Sequence, residues 1–239
     1  GYAGVPPTFL VEARHSSFGA DQVKLGSLQQ FAPNECASWD VGPAAFSVAD
    51  VHRIGLFDIR TFNTDRHGGN LLCRKAAQPQ GKVQYDLVPI DHAYCFPTAL
   101  GEANWEWLYW PQAKVPFSED ELRYIDSIDV EADLALLARL GLSREALRVY
   151  RTTATFLKKG AAAGLTLFEL GKLCYRGRND AHSQLETLFA ALPAAAAVDE
   201  EAVVIASALE KFCQSQCVAT SVVVNNNSIG NQRTQVSRG

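Results

Sequence analysis

Asp65, Asn70 and Asp91 constrain this chain more tightly than any other feature, because of what lies between them. The first two bracket Asp65-Arg66-His67-Gly68-Gly69-Asn70, and the third follows an apolar run, Leu87-Val88-Pro89-Ile90. Leu71-Leu72-Cys73-Arg74-Lys75 and Val83–Ile90 read as two strands joined by Gln78-Pro79-Gln80-Gly81. A hairpin of this kind returns the chain, so Asn70 and Asp91 are expected to meet at its open end. A buried acid without a partner is costly. A divalent cation would satisfy Asp91, with Asn70 giving a neutral oxygen and water completing a Mg²⁺ shell. An acid, an amide and a second acid so arranged are what phosphoryl transfer needs: Asp65 orients the attacking hydroxyl while Asn70 and Asp91 hold Mg²⁺ against nucleotide phosphates. The pattern is that of the catalytic half of a kinase.

Hydrophobic periodicity supplies the frame around this motif. Residues 5–14 and 22–31 read as strands of a small lobe. Ser47 caps a helix over 48–62, with Val48, Val51, Ile54, Phe57 or Asp58, and Phe62 at helical spacing. His52 is expected on its solvated surface. Lys75 and Lys82 are expected on a solvated hairpin. Farther on, Ser118-Glu119-Asp120-Glu121 is a capping box; a second helix leads from Asp133 to Gly141, a third from Ser143 to about Ala163. Thr166-Leu167-Phe168-Glu169 opens a fourth that ends near Tyr175. The fold class is therefore α+β, a kinase-like domain dominated by its helical large lobe.

Composition sets limits on function. The chain has 239 residues, 47% of them hydrophobic, enough for one sizeable core. A net charge of −4 argues against broad nucleic-acid binding. No apolar run approaches the roughly 20 residues that span a bilayer, so a transmembrane segment and a signal peptide are not expected. The six cysteines (36, 73, 95, 174, 213 and 217) form no CxxC pair and read as reduced, buried thiols of a cytoplasmic protein. Cys213 and Cys217 could share a helix face; a disulfide or zinc role stays a minor alternative, as does a zinc reading of His52, His67 and His92. The chain contains no methionine, which is expected of a fragment, an incomplete gene model or a processed product. No glycine-rich loop with a strand lysine precedes Asp65, and Lys24 is the only lysine before Lys75.

Ordered blocks along the chain resemble the plant and algal gamma-type phosphatidylinositol 4-kinases, within the phosphatidylinositol 3-/4-kinase superfamily. They are Gly4-Val5-Pro6-Pro7-Thr8, Gly26-Ser27-Leu28-Gln29, Asp58-Ile59-Arg60 through Asn63-Thr64-Asp65-Arg66-His67 to Asn70, Pro89-Ile90-Asp91-His92, Trp107-Leu108-Tyr109-Trp110-Pro111-Gln112-Ala113 and Pro116-Phe117-Ser118. One departure is Ala93, where the family usually has glycine; alanine allows fewer backbone angles and would restrict a hinge there.

The resemblance implies a division of labour. Residues 1–34 are the end of the small lobe and the hinge, where Gly26, Ser27, Leu28, Gln29, Gln30 and Phe31 bind ATP. Residues 35–190 are the large lobe, 191–218 an alanine-rich linker with an amphipathic helix, and 219–239 a disordered tail. Asp65, Arg66 and His67 are the catalytic residues, and Asn70 and Asp91 bind the metal. Arg66 could instead be a structural ion-pair partner. His67 could stabilise charge on the phosphoryl group or buttress the loop, and His92 is a metal ligand or, more simply, a hydrogen-bonding loop residue. In the tryptophan-rich segment Trp107 and Trp110 are expected in the core, and Trp105 either packs there too or is the candidate for a membrane boundary, while Lys114 either reads an inositol phosphate or is solvated. The implied reaction moves the γ-phosphate of ATP to the 4-hydroxyl of phosphatidylinositol, on a peripheral membrane surface. Ser/Thr protein phosphorylation and an inactive scaffold are the alternatives.

Overall fold

The structure, a computed structural model, describes residues 1–19, 22–177, 182–192 and 202–216. Strands β1 (Thr8–Arg14) and β2 (Val23–Gln29) form an antiparallel hairpin with Thr8 opposite Gln29 and Arg14 opposite Val23. Neither buries a side chain fully, and Phe9, Leu10 and Leu25 stand exposed. After the short β3 (Cys36–Ala37) the chain enters helix α1 (Val48–Thr61). Ser47 caps it as expected, its Oγ accepting the Asp50 N–H at 3.0 Å.

Helix α1 is the axis of the large lobe. Val51, Ile54, Leu56 and Ile59 are buried along it, packed with Val149, Phe156 and Leu157 and with Leu167 and Leu170 from later helices. The approach is close enough that a Cβ on Gly55 would lie 2.4 Å from Leu167 Cδ2, so only glycine fits there. The expectation for His52 is overturned. Its side chain is fully buried, with Nδ1 2.9 Å from Glu121 Oε1 and Nε2 3.0 Å from the Gln112 carbonyl. A histidine on an otherwise apolar face is buried when both ring nitrogens find partners.

Beyond α1 come β4 (Asp65–Arg66), β5 (Leu71–Gln80), β6 (Val83–Pro89) and β7 (Asn104–Trp105). Strand β5 lies between β3 and β6, antiparallel to both, while β4 pairs with β7 in parallel. The hairpin turns later than expected. Strand β5 continues through Pro79 to Gln80, which faces Val83, and the reversal falls on Gly81 at φ +57°; glycine adopts that left-handed geometry without steric cost.

For Trp105 the core alternative holds. Trp105 and Trp107 are both fully buried and stacked, centroids 5.0 Å apart, so neither faces a membrane. Trp110 is buried as expected. Tyr109 is the exposed ring of this segment, and Lys114 rests over the Phe168 ring at 5.0 Å.

The remaining elements are helical: α2 (Glu119–Asp126), α3 (Val130–Arg139), α4 (Arg144–Ala162), α5 (Leu167–Cys174) and α6 (Gln184–Ala191), with a further helix α7 over residues 202–216. The capping boxes at Ser118 and Thr166 both form. Helix α3 starts three residues before Asp133, because Asp129 accepts the Ala132 N–H at 3.0 Å and serves as its cap. Helix α6 has a third capping box, Ser183 with Glu186, which the reading of the sequence passed over. Helix α7 buries Ile205, Leu209 and Cys213, spaced by four, in the main core. Cys217, most of the expected linker and the expected tail over 219–239 lie outside the described residues. Five cysteines are free thiols, and burial pushes the Cys73, Cys95 and Cys213 thiols up to about 12. Among the described residues no three His, Cys, Asp or Glu side chains gather to hold a metal ion.

Candidate active site

The loop from Asn63 to Asn70 is set by the way α1 ends. Phe62 takes the left-handed conformation at φ +46°, and the Asn63 N–H bonds back to the Asp58 carbonyl at 2.9 Å. Asn63 is fully buried and ties three segments together. Its Nδ2 donates to Asp58 Oδ1 at 3.0 Å, its Oδ1 accepts the Asp65 N–H at 3.1 Å, and its carbonyl accepts Trp105 Nε1 at 2.5 Å.

Beneath the loop sits a fully buried ion pair. Arg66 Nε lies 3.1 Å from both Asp58 oxygens, and Trp107 Nε1 donates to Asp58 Oδ2 at 3.0 Å. Burial pushes the Asp58 carboxyl up, while Arg66, Asn63 and Trp107 all favour its charged form. The other end of the guanidinium reaches across: Nη1 donates to the Asn70 carbonyl at 2.8 Å and to the Ile90 carbonyl at 2.9 Å. Arg66 therefore has no surface with which to touch a substrate, and the geometry supports its reading as a structural ion-pair partner. It pins together the two backbone stretches that carry Asn70 and Asp91. The Ile90 N–H completes that junction by donating to the Asn70 carbonyl at 3.1 Å.

Asp65, Asn70 and Asp91 thus converge at the open end of the hairpin. Asn70 Nδ2 donates to the Asp65 carbonyl at 2.9 Å and lies 3.4 Å from Asp65 Oδ2. That fixes the amide, and its Oδ1 accepts no hydrogen bond among the described residues. Asp91 is exposed at φ +50°, with only the Ala93 N–H, at 3.4 Å, on its carboxylate. Aspartate tolerates that left-handed region better than most residues, and Phe62 and Phe96 also adopt it. Ala93 is not among the residues with positive φ, so its backbone does not call for glycine. One uncommitted amide oxygen and one uncommitted carboxylate are a donor set suited to Mg²⁺, which binds through few protein groups and keeps its waters.

His67 is half-exposed beside this group. Its Nδ1 accepts the Gly69 N–H at 3.0 Å, so the ring proton is carried on Nε2, which lies 3.9 Å from Asp65 Oδ2. His92 behaves differently. It packs edge-on against Phe57, and burial, reinforced by Arg66, pushes its pKa down to about 4. Its Nε2 and Arg66 Nη2 are buried with no hydrogen-bond partner. The residues expected to bind ATP divide between two cavities. Ser27 and Gln29 join Thr8, Phe57, Asp91 and His92 around one of about 690 Å³. Gln30 and Phe31 line another of about 520 Å³ with Leu87 and Val88, whereas Gly26 and Leu28 line neither.

Sequence reasoning passed over Asp58, Asn63 and Trp39 as parts of this site. For Asp58 and Asn63 a signal existed, since both stand in the block that carries the family resemblance and Asp58 occupies a core position of the α1 stripe; Trp39 gave none.

The model of the family described as phosphatidylinositol 3- and 4-kinase matches residues 1–170. The chain is 44% identical over 181 residues to phosphatidylinositol 4-kinase gamma 4 of Arabidopsis thaliana, covering 74% of this chain and 31% of that protein. Phosphatidylinositol 4-kinase gamma 2 of the same plant is 42% identical over 199 residues, covering 79% and 36%. Phosphatidylinositol 4-kinase gamma 4 of Oryza sativa subsp. japonica is 42% identical over 190 residues, covering 79% and 33%. The chain spans about a third of the length of these curated relatives. With the acid, amide and acid of the motif gathered at one hairpin mouth and the family model matching the residues that gather them, the chain belongs to the phosphatidylinositol 3- and 4-kinase family.

Proposed function

We propose that this chain carries the catalytic segment of a phosphatidylinositol 4-kinase, which transfers the γ-phosphate of ATP to the 4-hydroxyl of phosphatidylinositol. The observation that carries the proposal is the junction of Asn70 and Ile90, where one carbonyl accepts from both Arg66 and the Ile90 N–H. It holds the backbone of Asn70 against that of Ile90, the residue before Asp91, while the Asn70 amide is hydrogen-bonded to Asp65. Asn70 and Asp91 would hold Mg²⁺, which when bound neutralises charge on the nucleotide phosphates.

The protein's own groups do the rest. Asp65 accepts the proton of the attacking hydroxyl, or orients it. His67 Nε2–H faces the same space and donates toward charge that develops on the transferred group. ATP occupies the cavity in which Ser27 and Gln29 face Asp91, with Gly26, Leu28, Gln30 and Phe31 completing the hinge. The acceptor is a lipid headgroup at a membrane surface reached peripherally; among the described residues no helix is long and apolar enough to cross a membrane.

The test supplies the protein with labelled ATP and Mg²⁺, offering phosphatidylinositol vesicles and a generic protein acceptor side by side, with Asp91→Ala as control. Label in lipid that disappears in the variant supports the proposal. Label confined to protein would replace it with Ser/Thr protein phosphorylation, and no Asp91-dependent label would leave a scaffold.

A further inference from the structure

The segment Ser38–Asp40, a one-turn 3₁₀ helix, lies across the loop His67–Asn70 although nothing in its sequence marks it as functional. Ser38 is buried and its Oγ donates to the Gly68 carbonyl at 3.1 Å. Asp40 closes the turn from its other end, its carboxylate accepting the Ala37 N–H at 3.1 Å. Between them Trp39 leaves 64% of its surface in solvent. An indole left so open needs a reason, and the reason lies on its inner face. That face is stacked on the His67 imidazole, with centroids 5.8 Å apart and planes 11° from parallel. The same indole covers Gly69, where a Cβ would lie 2.6 Å from Trp39 Cη2, while a Cβ on Gly68 would lie 3.0 Å from Trp39 Cβ and 3.1 Å from Ser38 Oγ.

We propose that Trp39 is a positioning residue of the active site, holding the His67 imidazole in the orientation that aims Nε2 toward Asp65. The proposal rests on the reading that His67 serves phosphoryl transfer. Without the indole, the half-exposed imidazole has one hydrogen bond, from the Gly69 N–H, and a single bond leaves the ring free to swing out. Stacking removes that freedom on the side of the indole. A parallel aromatic contact contributes beyond the area it buries, and misplacing a catalytic group by about 1 Å can cost a hundredfold in rate. The pairing also accounts for Gly69, since a side chain there would displace the indole.

The test has two readouts. In the first, ¹⁵N-labelled protein is examined for the imidazole nitrogens of His67, assigned with His67→Asn. Wild type should show a single Nε2-protonated tautomer, and Trp39→Ala a mixture of the two neutral tautomers, with a melting temperature within a few degrees of wild type. In the second, Trp39→Ala should lower kcat about tenfold with KM for ATP within about twofold of wild type. Trp39→Phe should restore most of the loss, and Trp39→Ala added to His67→Ala should cause no further fall. An unchanged His67 signal in Trp39→Ala overturns the proposal whether or not the protein phosphorylates lipid. So does an equal further fall in the His67→Ala background, which would mean the indole acts elsewhere. If the tautomer shifts as expected but wild type transfers no phosphate, the positioning stands and the assigned reaction fails.

Discussion

Replacing Asp58 probes the ion pair beneath the loop most directly, because that one carboxylate accepts from three side chains. Asp58→Ala leaves the Arg66 charge without a partner, and strands the Asn63 and Trp107 donors that now reach Asp58 at 3.0 Å. Removing one member of a buried pair costs about 3–5 kcal/mol, and each stranded donor adds about 1–3 kcal/mol. The total rivals the whole stability of a typical domain, about 5–15 kcal/mol, so Asp58→Ala should fold poorly. Asp58→Asn is the readable variant. It keeps an oxygen for Trp107 but loses the charge, and should cost about 3 kcal/mol. Arg66→Met should cost a similar amount by leaving the Asp58 carboxylate alone. Combined, the two changes remove both charges, and the double variant should be more stable than the sum of the single losses by about 2 kcal/mol. Urea denaturation followed by tryptophan fluorescence measures all four proteins, and Trp107 reports on the site itself. Strict additivity, or an Asp58→Asn cost below about 1 kcal/mol, would refute the claim that this pair anchors the loop.

Other perturbations have equally defined outcomes. His52→Leu removes the partner of both Glu121 and the Gln112 carbonyl and should lower stability by about 3 kcal/mol in the same urea assay; a loss below about 0.5 kcal/mol would mean water takes over both bonds. Gly160→Ala would place a Cβ 2.3 Å from Leu170 Cδ2 and should cost about 1–3 kcal/mol through overpacking, seen as a lower melting temperature. Hydrogen bonds from Arg176 hold the Glu186 carboxyl down at about 2, against an ordinary 4.5. A lowered acid pKa contributes stability that is present above about 4.5 and lost as pH falls toward 2, at most about 3 kcal/mol here. Glu186→Gln should therefore flatten the acid limb of the stability curve between those values, and an unchanged slope would sink the assignment.

What the sequence makes legible follows from how local the signal is. Capping boxes at Ser118 and Thr166 are contained within four residues, and both form. The convergence of Asn70 and Asp91 needs only a hairpin, and the strand pattern contains one. The Ser183 box carried the same signal but lay just before Leu192-Pro193, where alanine-rich composition reads as a linker. His52 is misplaced by the sequence, and Trp105 left between core and membrane, because their partners are distant in sequence. His52 is satisfied by Gln112 and Glu121, and Trp105 by the Asn63 carbonyl. Without those partners a histidine on a helix reads as solvated and a tryptophan in a loop as core or anchor. Asp58 illustrates the same limit: a carboxylate at a core position looks like an error in the stripe until Arg66 is folded onto it.

The double hold on the Asn70 carbonyl has a consequence for exchange with solvent. The Asn70 N–H bonds to the His67 carbonyl and the Ile90 N–H to Asn70. Lifting either segment away would break the Arg66 bonds to the Asn70 and Ile90 carbonyls together with the Ile90–Asn70 bond, so opening here has to undo several interactions at once. Deuterium should therefore enter the Ile90 amide on the timescale of whole-molecule unfolding, whereas amides of the exposed β1–β2 hairpin should exchange far sooner. A loop that would ordinarily be the softest part of a lobe is, at this one amide, among its slowest clocks.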